Sequence, residues 1–333
     1  MLFLAAVVSV FVGCASRYHP VSRFEYTRPQ MGLPFRIVLY ANDKASADAA
    51  AEAAFARIKE LNDALSDYDT DSELSRLSQT AGSGQAVPVS EDLWRMLERS
   101  QRIAQETDGA FDITCGPVVS LWRKARREKK LPDPVKLEEA RRAVGYEKLQ
   151  LDPKRRTVKL LVPYMRLDLG ALAKPYAVDE ALRVIGNHGI RSALVAGAGD
   201  LAVSAPPPGT NGWRIELAPL DATNAPATEF VVLRHAALAT SGDLFQHVEI
   251  DGVRYSHIVN PRTGMGLTDH SLVHVIAKTC ESANSVSTSA GVLGPERALR
   301  YADAKDVCIR IVRKPAGTIE VRESSCFRKF IFQ

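Results

Sequence analysis

Alternation and helical periodicity divide the chain into a helix-rich first half and a strand-rich second half. Residues 35–40 alternate well enough for a strand. Residues 44–65 then place Phe55, Ile58, Leu61 and Leu65 on one stripe among many alanines, which predicts an amphipathic helix. Ser90 followed by Glu91 and Asp92 reads as an N-cap with acidic first-turn residues. The helix it opens runs to about Thr107, and Gly109 ends it. Leu131-Pro-Asp-Pro134 breaks the chain before a short helix over 137–144. From Arg155 the character changes. Residues 157–162 and 165–169 read as paired strands around Pro163, and 177–187 as a helix stopping near Gly189. Strands are expected at 192–196, 202–204, 213–217, 230–233, 247–250 and 271–277, and helices at 282–293 and 295–302. Strands at 306–312 and 318–321 follow. Hairpins dominate over regular βαβ alternation, so the pattern predicts an α+β fold rather than a doubly wound sheet.

Composition and charge then exclude whole classes. With 333 residues, 46% of them hydrophobic, the chain has ample material for a core. A net charge of +4 is too even for a dedicated nucleic-acid binder. No internal apolar run reaches the roughly 18–20 residues that span a bilayer. Five widely spaced cysteines rule out a disulfide scaffold and a CxxC zinc or redox site; Cys115, Cys280, Cys308 and Cys326 are expected to be mostly buried thiols.

The N-terminus stands apart. The stretch from Leu2 to Val12 is apolar, and Gly13 precedes Cys14. The run is too short to span a membrane and resembles a secretory h-region. A small residue before Cys also resembles a bacterial lipobox, although Phe11 stands where Leu is usual and no Lys or Arg precedes the run. Residues 1–20 are therefore expected to be signal, lipobox and tether, with Cys14 lipidated, and residues 21–333 a single domain. The basic run Arg123, Lys124, Arg126, Arg127, Lys129, Lys130 has two readings: a solvated helix end, or a contact for anionic lipid or an acidic partner.

Gly197-Ala-Gly-Asp-Leu-Ala202 fits a dinucleotide-binding pattern only if a helix begins there. A second strand and three prolines follow, so a tight turn carrying Asp200 is the better reading. Other segments carry more chemistry. Asp168-Leu-Gly-Ala-Leu-Ala-Lys174 offers an acid, a glycine that lets a ligand approach backbone, and a lysine suited to a phosphate or a ring. Thr240-Ser-Gly-Asp243 supplies hydroxyls and turn amides, and reads equally as a plain turn. Tyr255-Ser-His257 puts a histidine on a strand before a turn. Asn284 and Thr288 lie four apart on one helix face, with Glu281 on the same side.

Taken together, the chain resembles the ApbE family, the bacterial FAD:protein FMN transferases. The resemblance runs through Met31-Gly-Leu-Pro34, Leu65-Ser-Asp-Tyr-Asp-Thr-Asp-Ser-Glu-Leu-Ser-Arg-Leu77 and Thr107-Asp-Gly-Ala-Phe-Asp-Ile-Thr-Cys-Gly-Pro117. It continues through Leu167 to Lys174, Gly197-Ala-Gly-Asp200, Ala239-Thr-Ser-Gly242 and Tyr255-Ser-His-Ile-Val-Asn-Pro-Arg-Thr-Gly264. It covers about Phe24 to Asp303, in the family's order. It implies mixed, largely antiparallel sheets with flanking helices and an FAD site between sub-domains. It implies that FMN passes from FAD to a Thr or Ser hydroxyl of an acceptor protein of respiratory or electron-transfer type, releasing AMP. Met31, Tyr68, Ala110, Phe111, Asp112, Asp168, Lys174 and Ile258 would line the FAD site, with Tyr68 and Met31 packing on the rings. His257 or Asp243 would stand near the transferred proton. A divalent cation, Mg²⁺, would take the Ala171 carbonyl and the side chains of Asn284 and Thr288. Members are typically exported, often as lipoproteins, so an inner-membrane lipoprotein facing the periplasm is implied.

Three departures matter. Asn284 stands where the family carries Asp and removes a negative charge from a hard-cation site, which Glu281 would partly restore. Pro175 replaces Gly after the lysine; its fixed φ suits a helix's first turn. Ala198 replaces the first glycine of a Gly-Gly-Asp turn and is expected to need only an ordinary φ. The resemblance leaves two rivals standing: an FAD-binding lipoprotein with a weakened metal site, and an FAD pyrophosphatase yielding FMN and AMP. No acceptor motif is present in the chain, so self-flavinylation is not expected.

Overall fold

The structure is a computed structural model that describes residues 21–220, 229–244 and 246–332. Cys14 and the rest of the expected signal segment lie outside the described residues. In chain order the elements are β1 (Ser22–Gln30), β2 (Leu33–Ala41), α1 (Lys44–Leu65), α2 (Glu73–Gln79), β3 (Val87–Pro88), α3 (Glu91–Glu106), α4 (Gly116–Glu128) and α5 (Pro134–Arg142). Then come β4 (Leu149–Asp152), β5 (Thr157–Leu160), α6 (Ala173–Asn187), β6 (Ser192–Gly197), β7 (Asp200–Val203), β8 (Trp213–Glu216), β9 (Phe230–Leu233) and β10 (Ala236–Gly242). The chain continues with β11 (His247–Ile250), β12 (Val253–Ser256), β13 (Ser271–Ala277), α7 (Cys280–Leu293), α8 (Pro295–Ala304), β14 (Cys308–Arg313) and β15 (Glu320–Glu323).

An eight-stranded sheet in the order β1-β2-β6-β7-β10-β13-β14-β15 forms the centre. Every neighbouring pair in it is antiparallel. The pleat divides its side chains. Ile37, Leu39, Ala193 and Val195 join the core under α1 and α6. Val38 and Leu194 point to the other face, where Trp213, Val231, Leu233 and Phe327 cover them. Both faces are thus shielded, which the half-buried alternation of β2 alone did not reveal. α1 starts at an Asp43 cap whose side chain accepts from Ser46 N at 2.8 Å. Its buried stripe of Ala47, Ala50, Ala51, Ala54, Phe55, Ile58, Leu61 and Leu65 packs on α6, the alanines permitting close approach. Asp179 of α6 accepts from the Cys280 and Glu281 amides at 2.8 and 2.9 Å, docking the start of α7 on α6.

Several expectations are corrected. Residues 165–169 do not pair with β5; β5 pairs with β4 and β3. Met165, Leu167 and Leu169 alternate because an extended buried segment alternates as a strand does; it makes one parallel bridge, Arg166 to Cys115. β1, β3, β4 and β10 were not anticipated. α6 begins at Ala173, so Pro175 lies in its first turn, where a proline's missing N–H costs nothing. Cys308 and Cys326 are not thiols but a disulfide, with Cα atoms 5.5 Å apart. The β14–β15 hairpin carries the chain back so that the Ser324 amide bonds the Ile309 carbonyl at 2.9 Å, and this return brings the two cysteines together. Cys115 and Cys280 are free, and Cys280 is buried as expected.

Candidate functional site

The family motifs meet at one end of the central sheet. The β1–β2 hairpin turns through Met31 and Gly32, and the β6–β7 hairpin through Ala198 and Gly199. Phe35 opposes Gly197, so the two tips sit side by side, and Thr240 at the end of β10 donates its amide to Asp200 at 3.3 Å. Both tips have positive φ at both central residues: 50° and 77° at Met31 and Gly32, 61° and 93° at Ala198 and Gly199. This is the turn chirality that right-handed strand twist favours. The expectation of an ordinary φ at Ala198 is therefore wrong: two-residue hairpin geometry, absent from a linear motif, forces it left-handed.

α4 supplies a feature that sequence reading missed. It starts at Gly116, where a Cβ would lie 2.3 Å from the Arg166 carbonyl, so only glycine lets the helix start against the segment leading to Asp168. Trp122 Nε1 donates to the Gly264 carbonyl at 2.7 Å, fixing α4 to the loop after His257. Arg123 is then not part of a solvated basic end. It is mostly buried and donates to Asp67 at 2.5 Å and Asp168 at 2.8 Å. Its guanidinium also lies 4.2 Å from the centre of the Tyr68 ring. Burial and the nearby Asp168 push the Asp67 carboxyl up, against the pull of Arg123. Tyr68 itself is 74% exposed, a large ring held on one side and open on the other. The signal in the sequence was the helical spacing that puts Arg123 and Arg126 beside the Val118, Trp122, Ala125 stripe.

Asp168 Oδ1 also accepts from Gly170 N at 2.8 Å, and Lys174 donates to the Gly170 carbonyl at 2.8 Å. Ala110, Phe111 and Asp112 are buried. Asp112 is satisfied by Thr114, through its amide at 2.8 Å and its hydroxyl at 2.6 Å, and burial pushes its carboxyl up. These three shape the loop more than they offer surface; the Ile113 carbonyl binds Asp168 N at 2.7 Å. An open cleft of about 360 Å³, lined by Asp108, Arg141, Tyr146 and Arg262, shares only Asp112 with the expected set.

His257 bonds the Gln246 carbonyl twice, through its amide at 3.0 Å and Nδ1 at 3.1 Å. A carbonyl can only accept, so Nδ1 carries the proton and Nε2 keeps its lone pair. Burial, with Arg126 and Lys174 nearby, holds the imidazole down to about 4. Asp243, the other candidate, is buried and committed: it pairs with Arg254 and takes His270 Nδ1 at 2.8 Å. Its charge reaches His257, but its oxygens are occupied. Ile258 follows His257, its amide on Ser256 Oγ at 3.1 Å.

The expected cation ligands do come together. Asn284 Nδ2 donates to the Ala171 carbonyl at 3.0 Å and to Asp200 Oδ2 at 3.1 Å. Asn284 Oδ1 accepts from Ser241 at 3.2 Å, Ser287 at 3.1 Å and Thr288 at 3.1 Å. The acceptor-only carbonyl of Ala171 sets which way the amide points. Burial pushes the Asp200 carboxyl up to about 7. Glu281 does not join this cluster, contrary to expectation; its Oε1 takes Arg99 Nε at 2.8 Å, because α7 turns that residue toward α3. Asp200 is the site carboxylate that sequence reading left as a turn residue.

The profile of the ApbE family matches residues 31–311. A protein of Haemophilus influenzae named FAD:protein FMN transferase is 30% identical over 82% of this chain and 80% of its own length. One of Vibrio cholerae with the same name is 29% identical over 99% of this chain and 98% of its own. The solved structure of the flavin transferase ApbE from Vibrio cholerae superposes with a TM-score of 0.84 at 28% identity, covering 93% of this chain and 100% of that one. The predicted α+β fold, the motif order and these likenesses agree, and the chain belongs to the ApbE family.

Proposed function

We propose that the protein is an FAD:protein FMN transferase that moves FMN from FAD to a Thr or Ser hydroxyl of an acceptor protein. The observation that carries this is the meeting, at one sheet end, of an open aromatic face, a lysine and a neutral histidine with a free Nε2. Family membership, with relatives that carry that name, supports it. Tyr68 and Met31 would pack on the flavin rings, and Lys174 would face the pyrophosphate. The acceptor hydroxyl oxygen bonds the FMN phosphorus, the bond to AMP breaks, and the hydroxyl proton passes to His257 Nε2. Asp243 then holds Arg254 and His270 in place beside the histidine strand.

The resemblance adds a divalent cation, Mg²⁺, held through Ala171, Asn284 and Thr288. The donors fit it in kind: hard oxygens, with the Asp200 carboxylate among them, once the Asn284 amide turns its oxygen toward Ala171. When bound it would neutralise pyrophosphate charge. We further read the acceptor as a respiratory or electron-transfer protein, and the chain as an exported lipoprotein anchored through Cys14. The Cys308–Cys326 disulfide supports export, since such bonds persist outside the reducing cytosol.

The test incubates the protein with FAD, Mg²⁺ and a flavin-acceptor protein. Covalent flavin on the acceptor with equimolar AMP is the expected result. Free FMN plus AMP would instead mean a pyrophosphatase, and unchanged bound FAD a flavin carrier.

A further inference from the structure

We propose that Asp200 is the charged ligand of the cation site in this chain, in place of the acid that position 284 lacks. The inference rests on the transferase reading only in supposing that a cation is used there. Asp200 opens β7 directly after the Ala198-Gly199 turn and is 4% exposed. Its carboxylate takes one backbone amide, from Thr240 at 3.3 Å, and one side-chain amide, from Asn284 at 3.1 Å. Among the described residues it makes no ion pair with a lysine, arginine or histidine. A carboxylate this deep, bonded to two neutral donors only, is expensive to keep charged. A cation beside it removes that cost.

The geometry says where the cation goes. One atom, Asn284 Nδ2, lies 3.0 Å from the Ala171 carbonyl oxygen and 3.1 Å from Asp200 Oδ2. An oxygen placed there would lie 3.0 and 3.1 Å from the other two, the spacing of oxygens that share one ion at the roughly 2.0–2.6 Å of Mg²⁺ or Ca²⁺ contacts. Rotating the amide by half a turn exchanges its ends. Oδ1 then joins Ala171 and Asp200, while Nδ2 meets the hydroxyls of Ser241, Ser287 and Thr288, which accept as readily as they donate. The result is one carboxylate and two carbonyl oxygens around one point, with the remaining positions open to water or phosphate. The family pattern places an acid on the helix as well as after the turn; in this chain the charge arrives from the hairpin alone. Glu281, bound to Arg99, is not available for this.

The experiment measures Mn²⁺ binding to the full chain without flavin, reading free Mn²⁺ by electron paramagnetic resonance. Wild type should bind one ion. Asp200→Asn, which keeps shape and volume, should weaken binding by at least about tenfold, because it removes the only full charge among the ligands. Asn284→Asp should tighten binding, and the double variant Asp200→Asn/Asn284→Asp should recover wild-type affinity by returning the charge to the helix. The double variant also answers the objection that Asp200→Asn simply fails to fold. Wild-type affinity in folded Asp200→Asn, or no binding by wild type at millimolar Mn²⁺, overturns the proposal. Failure of the transferase reading would show in the acceptor-labelling assay and leave these Mn²⁺ affinities unchanged.

Discussion

His257 shows how one hydrogen bond assigns a proton. Its Nδ1–H is spent on the Gln246 carbonyl, so Nε2 is the basic nitrogen throughout the range in which the ring is neutral. With the folded ring held down to about 4 and an unfolded value near 6.5, the unfolded chain binds the extra proton between those two pH values. Stability contributed by this group therefore rises with pH from about 4 to 6.5 and is flat above. Activity follows the same logic. Transfer should stay level from about pH 6 to 8 as far as His257 is concerned, and fall only toward pH 4. His257→Ala and Lys174→Ala should fold as the wild type does, with His257→Ala losing about 10²–10⁴-fold in transfer rate. Circular dichroism with a pH–rate profile checks both. Full transfer activity in folded His257→Ala, or variants that unfold, would return His257 to a core role, and a rate midpoint near 6.5 would mean that burial does not hold the ring down.

At the scale of elements, local signals were read well and non-local ones were not. α1 was legible end to end because an apolar stripe and a run of alanines sit within its own 22 residues. Arg123 was not, since its partners Asp67 and Asp168 are 56 and 45 residues away; helical spacing sets it nearer the buried stripe than Lys124 but does not say what it meets. β10 was hidden because its end, Thr240-Ser-Gly242, carries turn residues that here pair with β13. Pairing partners decide a strand's existence, and they lie elsewhere in the chain. The Ala198 turn is the sharpest instance. Its sequence looked harmless, yet the hairpin demands φ of 61° there, a region that costs a residue with a Cβ about 1 kcal/mol. Ala198→Gly should raise stability by about that amount, roughly 1–2 °C in Tm for a chain of this size. Gly199→Ala should lower it. Scanning calorimetry of the two variants decides; a fall in Tm for Ala198→Gly would mean that the backbone cost is offset by contacts of the alanine methyl.

For the whole molecule, the disulfide and the N-terminal cysteine make one joint claim about where the chain folds. Cys308 and Cys326 close a loop of 18 residues at the edge of the central sheet, beside Phe327, which is fully buried against the sheet's far face. Cross-linking that loop should contribute about 3 kcal/mol by restricting the unfolded chain, or roughly 5 °C in Tm. The bond needs an oxidising compartment, and the expected lipidation at Cys14 needs export through the same membrane. The two should therefore separate cleanly in one experiment on cells making the full chain. Wild type should sediment with membranes, and its unreduced digest should contain one peptide species joining Cys308 to Cys326. Cys14→Ser should leave the membrane fraction, since the acyl attachment is gone, yet keep the disulfide if the signal segment still directs export. Cys308→Ser/Cys326→Ser should stay on the membrane and melt about 5 °C lower. A wild-type chain that is soluble and fully reduced would sink the export reading. It would leave the fold, the Arg123 clamp and the oxygen cluster around Asn284 untouched, because those depend on contacts within the chain and not on the compartment.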